Sequence, residues 1–181
     1  APSTPYDAKG LLKSAIRDNN PVLFLEPKKG YRAIKGEVPE GEYTEPLGVA
    51  KVTRAGDDIT VYAYGMMHFY CVQAADQVAK EGISVELVDL RTLNPLDKAT
   101  VLQSFKKTGK ALIVYEDNRF VGFGAEIAAL LCEEAFEHMD APIMRLAGPD
   151  VPAVPYSRPL QDWFMPDVQR ITEAMRRLAA Y

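Results

Sequence analysis

The sequence has 181 residues, of which 48% are apolar, and it carries a formal net charge of −4. This length favours one full domain plus part of a second, and the small negative charge argues against a nucleic-acid-binding protein, which needs a basic surface. No apolar run reaches the roughly 18 residues that a membrane-spanning helix needs, and no secretory signal pattern opens the chain. We therefore expect neither nucleic acid nor a membrane among its partners.

The first predicted elements are a helix and a short strand. Thr4 can cap a helix in which Pro5 occupies the first turn, and Pro21 ends the apolar pattern of that helix. Residues 22–25 predict a short buried strand. Residues 27–49 are rich in lysine, proline and glycine and predict a long connection that crosses between domains. The helix and strand cannot form a core alone, so we expect them to be the end of another domain.

Strands and helices alternate along the rest of the chain. An edge strand is predicted at 51–54, and buried strands are predicted at 59–64, 85–90, 111–115 and 142–146. A proline-rich loop covers residues 147–166, and an amphipathic helix runs from Val168 to the end. Since crossovers between parallel strands are right-handed, this alternation predicts a three-layer α/β fold with a mostly parallel sheet and helices on both faces.

Residues 84–97 are the centre of this pattern. The apolar residues of Val85–Leu90 are too dense for a strand with one solvated face, and they suit a strand covered by helices on both sides. Asn94 can cap the next helix and Pro95 suits its first position, with Asp97 near the positive end of the helix dipole.

The cysteines and histidines give no metal-site pattern. Cys71 and Cys132 both fall in helical segments, which predicts two buried thiols in a reducing compartment. A zinc site would need more ligands at close spacing, and His68 and His138 are the only histidines. His68 has no partner visible in the sequence, so a structural or solvent-facing role is expected.

Two glycine-containing motifs resemble phosphate or cofactor loops. Gly122-Phe123-Gly124 precedes a helix and could bind phosphate, but the third glycine of a dinucleotide fingerprint is missing. A tight, closely packed strand-to-helix turn is the favoured interpretation. Gly56-Asp57-Asp58 only approaches the GDG motif of thiamine diphosphate enzymes, lies in a turn, and is rejected.

Two polar segments are weaker candidates for a site. The helix end at residues 15–20 carries unpaired carbonyls and Asp18, which could form an oxygen cage for a cation, although an ordinary polar helix end has the same pattern. Glu116 and Asp117 follow a strand at the edge where α/β sheets usually bind ligands. A loop cap or a subunit contact is the alternative to acid-base chemistry there.

Six blocks in order resemble one family, the β subunit of the E1 component of 2-oxo acid dehydrogenase complexes. The blocks are PSTPYDAKGLLKSAIRDNNPVLFLEPKKGYRA, EVPEGEYTEPLGVAKVTRAGDDITVYAYG, EGISVELVDLRTLNPLD, KTGKALIVYED, GFGAEIAALLCEEAF and DAPIMRLAGPDVP. The resemblance covers the C-terminal half of that subunit. It implies that residues 1–46 end a pyrimidine-binding domain and that residues 47–181 form a transketolase C-terminal domain.

The resemblance also implies a function, and it implies that the catalytic and cofactor-binding residues lie outside this chain. The family decarboxylates a 2-oxo acid, pyruvate or a branched-chain acid, on thiamine diphosphate and passes the acyl group to the lipoyl group of E2. The catalytic glutamate and histidine of the β subunit precede Ala1 in the family pattern, and the α subunit holds Mg²⁺ and the diphosphate. No catalytic or cofactor-binding residue carries over, so we predict that the chain alone binds no thiamine diphosphate and is inactive.

Other residues do match positions that the family uses. By resemblance, the carbonyls of Ala15, Ile16 and Asn20 and the carboxylate of Asp18 would bind a structural potassium ion. The family assembles as an α2β2 heterotetramer, and acidic groups of the β subunit meet the basic subunit-binding domain of E2. Asp140 and the carboxylate of Tyr181 are the candidates for that contact.

Two alternatives remain open. The chain could be a non-catalytic assembly module, or the C-terminal domain of another transketolase-like enzyme. A complex of this family implies a cytoplasmic location, or the mitochondrial matrix in a eukaryote. The sequence does not name the 2-oxo acid, because the residues that select it lie outside this chain.

Overall fold

The five strands of the protein form one sheet in a computed structural model that describes all 181 residues. They are β1 (Lys51–Arg54), β2 (Ile59–Ala63), β3 (Val85–Asp89), β4 (Ala111–Asn118) and β5 (Met144–Gly148). Their order across the sheet is β1-β3-β2-β4-β5, with β1 antiparallel to β3 and every other pair parallel. The predicted mostly parallel sheet with an edge strand at residues 51–54 is confirmed.

Seven α-helices accompany the sheet. They are α1 (Pro5–Arg17), α2 (Gly30–Ala33), α3 (Gly65–Ala79), α4 (Lys98–Thr108), α5 (Gly124–Glu134), α6 (Arg158–Phe164) and α7 (Val168–Ala179). Helices α3 and α7 pack together on one face of the sheet, and α4 and α5 cover the other face. This confirms the three-layer prediction. No helix has the length and apolar character needed to cross a bilayer.

Strand β3, which lies between β1 and β2, shows why its sequence has apolar residues at consecutive positions. All five of its residues are buried. Leu87 joins the apolar cluster beneath α3 and α7, and Val88 joins the cluster beneath α4 and α5. Successive side chains of a strand point to opposite faces, so a strand covered on both sides needs apolar residues at consecutive positions.

The strand predicted at residues 22–25 is wrong. These residues adopt no regular structure, and Val22, Leu23 and Leu25 are exposed. A strand exists only as part of a hydrogen-bonded ladder. All five strands of the chain pair with one another in the single sheet, so residues 22–25 have no strand to pair with.

Two helix boundaries also differ from the sequence prediction. Helix α4 begins at Lys98, because the side chain of Asp97 accepts a 3.0 Å hydrogen bond from the backbone N–H of Thr100 and acts as the cap. The cap is therefore Asp97 and not Asn94. The predicted proline-rich loop at residues 147–166 contains the short helix α6, which is preceded by Ser157.

The two cysteines lie in different environments. Cys71 is fully buried on α3, and burial raises the pKa of its thiol. Cys132 is exposed on α5, so the prediction of two buried thiols is wrong for this residue. Helix α5 turns Ile127 and Leu131 towards the core, and the residue after Leu131 points away from that face.

Candidate functional site

A buried arginine attaches the first part of the chain to the sheet. Arg91 follows β3, has a positive φ of 54° and is 4% exposed. Its guanidinium donates to Oδ1 of Asp7 at 3.0 Å, to Oε2 of Glu45 at 2.8 Å and to the carbonyl of Val49 at 3.1 Å. Helix α1 and the long connection are thus held at the carboxyl end of β3 by one side chain.

Asp89, the last residue of β3, belongs to the same polar network. Its Oδ1 accepts hydrogen bonds from the hydroxyl of Ser3 at 2.8 Å and from the N–H of Arg91 at 3.2 Å. Its Oδ2 is buried without a hydrogen-bond partner. Burial raises the pKa of Asp89 to about 7, although both hydrogen bonds oppose the rise.

The candidate ligand site is a crevice at the carboxyl edge of the sheet, and we call it the carboxyl-edge crevice. The chain leaves β2 towards β3 and leaves β4 towards β5 on the other side, so the strand order reverses between β2 and β4. A pocket of about 490 Å³ opens nearby, with Lys29, Tyr70, Glu116 and Arg158 in its wall. Open α/β sheets commonly bind ligands at such a reversal point.

Charges of both signs meet in the carboxyl-edge crevice. The Nζ of Lys29 lies 5.3 Å from the ring centroid of Tyr70. Burial raises the pKa of Glu116, and the positive charge of Lys29 opposes that rise. Burial and the neighbouring carboxylates of Asp117 and Glu116 raise the pKa of Tyr64 to about 12. The crevice can bind a polar group, but it brings together no nucleophile-base pair of the kind that covalent catalysis requires.

His68 lies outside the crevice and has a structural role. It is buried on α3, and its Nε2 lies 2.8 Å from Oγ1 of Thr53 on β1. The Thr53 hydroxyl also lies 3.2 Å from the carbonyl of Leu87. Burial lowers the pKa of His68 to about 4, so the imidazole is neutral near pH 7.

The glycines before α5 are explained by close packing. A Cβ atom on Gly124 would lie 2.2 Å from Cε1 of Tyr115, and one on Gly122 would lie 2.2 Å from the carbonyl oxygen of Asn118. Contacts of this length are impossible for a real side chain. The motif is therefore a close-packed turn against the ring of Tyr115, which is the interpretation that the sequence favoured over phosphate binding.

The predicted potassium residues lie together at the end of α1. The N–H of Asp18 makes no capping bond there, and no hydrogen bond reaches the carbonyls of Ala15 and Ile16. The backbone N–H and the Nδ2 of Asn20 both donate to Oδ1 of Asp18, at 2.8 and 3.0 Å, and these bonds lower the pKa of the Asp18 carboxyl. Free carbonyls beside an ionised carboxylate fit the oxygen ligands that a hard cation prefers.

The two predicted partner-binding residues lie at the opposite edge of the sheet. The N–H of Asp140 donates to the carbonyl of Gly109 at 2.9 Å, and the Nζ of Lys110 donates to the carbonyl of Ala179 at 3.4 Å. Asp140 and the end of α7 therefore both contact residues 109–110, just before β4. Both residues are exposed.

The sequence profile of the family described as "Transketolase, C-terminal domain" matches residues 48–171. The chain belongs to this family. The matched residues contain all five strands and helices α3, α4 and α5, and the match ends within α7. The family assignment agrees with the fold class expected from the sequence.

Curated relatives extend the similarity to nearly the whole chain. The chain is 51% identical over 180 residues to the 2-oxoisovalerate dehydrogenase subunit beta of Bacillus subtilis. The aligned residues make up 99% of the chain and 55% of that relative. It is 46% identical over 180 residues to the pyruvate dehydrogenase E1 component subunit beta of the same organism, again over 99% of the chain and 55% of the relative. The predicted resemblance to E1 β subunits is confirmed.

The chain spans about half the length of the curated relatives that it matches. A solved structure titled "Split gene transketolase, inactive beta4 tetramer" superimposes with a TM-score of 0.79 at 22% identity, over 99% of this chain and 56% of that one. At this identity the likeness concerns the fold. It extends to residues before the transketolase C-terminal domain.

Sequence reasoning missed the role of Arg91 and the contribution of Lys29 to the crevice. The Arg91 side chain bonds to a residue 84 positions away, and no local pattern reports such a contact. Its one visible signal is an arginine directly after a predicted buried strand. Lys29 lies in a connection without periodicity, so the sequence could not place it beside Glu116.

Proposed function

We propose that the chain is the C-terminal half of the β subunit of a 2-oxo acid dehydrogenase E1 component. In this proposal, residues 1–46 end the pyrimidine-binding domain and residues 47–181 form the transketolase C-terminal domain. The observation that carries the proposal is 51% identity to a 2-oxoisovalerate dehydrogenase subunit beta over 99% of the chain. The 46% identity to a pyruvate dehydrogenase subunit leaves both substrate classes open.

An exposed apolar surface on the first part of the chain supports this division. Leu12 and Ile16 on α1 are exposed, Leu23 is 85% exposed, and Tyr31 is exposed on α2. Exposed large apolar side chains in this number are typical of a contact surface. The remainder of a pyrimidine-binding domain would cover them, and a strand of that domain would pair with residues 22–25.

The activity of the assembled enzyme is then the oxidative decarboxylation of a 2-oxo acid with transfer of the acyl group to lipoyl-E2. Thiamine diphosphate with Mg²⁺ supplies the decarboxylation chemistry, and both are held by the α subunit and by β residues outside this chain. The chain itself contributes assembly. Its Arg91 network fixes the angle between the two β domains, and its surface joins the α2β2 heterotetramer in the cytoplasm or the mitochondrial matrix.

A structural potassium ion at the end of α1 is part of the proposal. The ligands are the carbonyls of Ala15, Ile16 and Asn20 and the carboxylate of Asp18. The free carbonyls and the lowered pKa of Asp18 support it. Because the family draws a further ligand from another part of the subunit, we expect full affinity only in the intact subunit.

The second assembly contact is with E2. Asp140 and the carboxylate of Tyr181 are proposed to pair with the basic subunit-binding domain of E2. Calorimetric titration of the chain with that domain tests this. We expect Asp140→Asn to weaken binding by about fivefold and added salt to weaken it further, because exposed ion pairs are screened.

The matched control is Glu133→Gln, which removes one exposed carboxylate on α5. The control should bind like the wild-type chain. Equal affinities for all three proteins, or an affinity indifferent to salt, would remove Asp140 from the interface. A short tail appended after Tyr181 tests the terminal carboxylate in the same way, since it moves that charge without deleting a side chain.

The alternative function is a non-catalytic module that acts only in assembly and is not part of an enzyme subunit. A substrate panel on the assembled enzyme separates the two. Turnover of pyruvate, a branched-chain 2-oxo acid or acetoin by the subunit that contains these residues supports the enzyme. Acetoin belongs in the panel because a β subunit of an acetoin oxidoreductase from Cupriavidus necator is 45% identical over 176 residues, covering 97% of the chain and 52% of that relative.

A further inference from the structure

The free edge of β5 carries a basic groove that none of the proposed contacts uses. Strand β5 pairs with β4 on one side and with no strand on the other. Two adjoining pockets of about 670 and 380 Å³ lie along this edge and share Arg145 and Arg170 in their walls. Arg119 belongs to the first pocket and Arg177 to the second. We call the two pockets together the β5 groove.

Three of the four arginines have contacts on or beside β5. A guanidinium nitrogen of Arg177 lies 4.0 Å from Sδ of Met144, the first residue of β5. Arg145 follows Met144, and its Nη1 donates to the carbonyl of Arg119 at 3.0 Å. The N–H of Arg119 donates at 2.8 Å to the carbonyl of Gly148, the last residue of β5. The contacts of Arg177 and Arg119 thus fall at the two ends of β5, which are about 13 Å apart at about 3.3 Å per residue, a length that suits an extended segment.

These arginines have few carboxylate partners within the chain. Arg119, Arg145 and Arg177 form no salt bridge, and Arg170 approaches Asp167 at 3.7 Å. Asp150 and Glu173 are the acidic residues in the walls of the groove. The β5 groove therefore has an excess of positive charge on a chain whose net charge is −4.

Large apolar side chains border the same groove. Phe120 is 71% exposed and Trp163 is 50% exposed, and both line the pocket at the Gly148 end. Arg170 donates to the carbonyl of Trp163 at 2.8 Å, which fixes the start of α7 next to the indole. Tryptophan and arginine are the residues that most often dominate the binding energy of protein interfaces.

We propose that the β5 groove binds an acidic extended segment of a partner protein, which adds to the sheet as a strand beside β5. An unpaired edge strand offers backbone N–H and C=O groups in the spacing that an added strand needs. Carboxylates at alternate positions of the segment would meet the arginines, since alternate side chains of a strand share one face. The occupant is acidic, whereas the surface at Asp140 and Tyr181 suits a basic partner, so the two sites are independent.

Fluorescence anisotropy with a labelled peptide of alternating glutamate and valine tests the proposal on the 181-residue chain. We expect binding that weakens as salt is added, and an affinity about tenfold lower for Arg145→Glu. Arg32→Glu is the matched control, because Arg32 is an exposed arginine on α2 whose side chain forms no hydrogen bond or salt bridge. The control should leave the affinity within about twofold of the wild-type value.

Four results would overturn the proposal. No binding at millimolar peptide excludes an acidic segment as the ligand, and equal losses for Arg145→Glu and Arg32→Glu mean that net charge alone is sensed. A lysine–valine peptide that binds as tightly as the glutamate–valine peptide would exclude charge recognition.

A glutamate–valine peptide with N-methylated backbone should bind at least about tenfold more weakly than the unmodified peptide, and equal binding would exclude pairing with the edge of β5. Circular dichroism of both variants shows whether the fold is retained.

Discussion

Nη1 of Arg91 lies 3.0 Å from Oδ1 of Asp7, although 84 positions separate the two residues along the chain. Both side chains are almost completely buried. The same nitrogen lies 2.8 Å from Oε2 of Glu45, so one arginine pairs with two carboxylates from the first part of the chain. This guanidinium is the buried positive charge at the contact between the first part of the chain and the end of β3, where Ser3 also donates to Asp89 at 2.8 Å.

Replacing this guanidinium is predicted to be costly. Arg91→Met should lower the free energy of unfolding by about 3–5 kcal/mol, because it leaves the buried carboxylate of Asp7 without its positive partner. Urea denaturation followed by circular dichroism measures the change. Arg54→Met is the control, since Arg54 forms a more exposed pair with Asp76 at 2.6 Å and its loss should cost about 1 kcal/mol or less. Equal costs at the two positions would contradict the role given to Arg91.

The buried carboxyl of Asp89 predicts a decrease in stability as the pH rises. Its pKa of about 7 in the folded protein lies above the ordinary value of 3.8, so the folded state binds the proton more tightly than the unfolded state. The stability from this proton is complete below the unfolded pKa and is lost as the pH rises through 7. Between pH 5 and 7.5 the contribution of Asp89 to the free energy of unfolding should fall by about 2–3 kcal/mol.

Asp89→Asn is neutral at every pH and should remove this contribution while keeping an oxygen for Ser3 and Arg91. His68 acts in the opposite direction, because its pKa of about 4 lies below 6.5 and its contribution is lost as the pH falls from 6.5 towards 4. Unfolding curves for the wild-type chain and Asp89→Asn at several pH values separate the contribution of Asp89 from that of His68. If both proteins show the same pH dependence between pH 5 and 7.5, the assignment to Asp89 is wrong.

The turn before α5 should not tolerate a side chain. Gly124→Ala would place a methyl group 2.2 Å from the ring of Tyr115, so we expect a loss of about 1–3 kcal/mol in the free energy of unfolding. Gly41→Ala has no heavy atom within 4 Å of the new methyl group and should change stability by about 0.5 kcal/mol or less. Thermal unfolding of the two variants gives the comparison. Comparable stability for both would mean that the turn can widen.

The sequence predicted those parts of the fold whose signal is local and repeated. The dense apolar run of β3 and the amphipathic pattern of α7 both appeared where expected, since each follows from the period of its own element. The strand predicted at residues 22–25 was wrong because a strand also needs a neighbouring strand to pair with. The local sequence pattern does not show whether such a strand exists. Helices α2 and α6 were missed because four and seven residues are too few for a helical period to show.

The candidate site was less predictable than the fold. The position of Glu116 at the carboxyl edge followed from strand order, but its neighbour Lys29 comes from an irregular connection 87 positions earlier. The positive φ of Arg91 belongs to no residue-type pattern, because arginine has no preference for that conformation. Long-range polar contacts of this kind become visible only when the chain is folded.

Potassium should stabilise the intact subunit through the end of α1. Replacing choline chloride by potassium chloride at constant ionic strength should raise the melting temperature by about 3 °C, because the ion binds the folded state only. Asp18→Ala should abolish this rise. Asp76→Ala, which removes an exposed carboxylate on α3, should retain it. A rise of equal size in Asp18→Ala would place any bound ion elsewhere.

The most direct test of the central claim is a steady-state decarboxylation assay with an artificial electron acceptor. The α subunit, thiamine diphosphate and Mg²⁺ are supplied with either the 181-residue chain or the complete subunit that contains it. The account predicts turnover of pyruvate or a branched-chain 2-oxo acid with the complete subunit and none with the 181-residue chain. Turnover by the 181-residue chain, or none by the complete subunit with any of these acids, would contradict it.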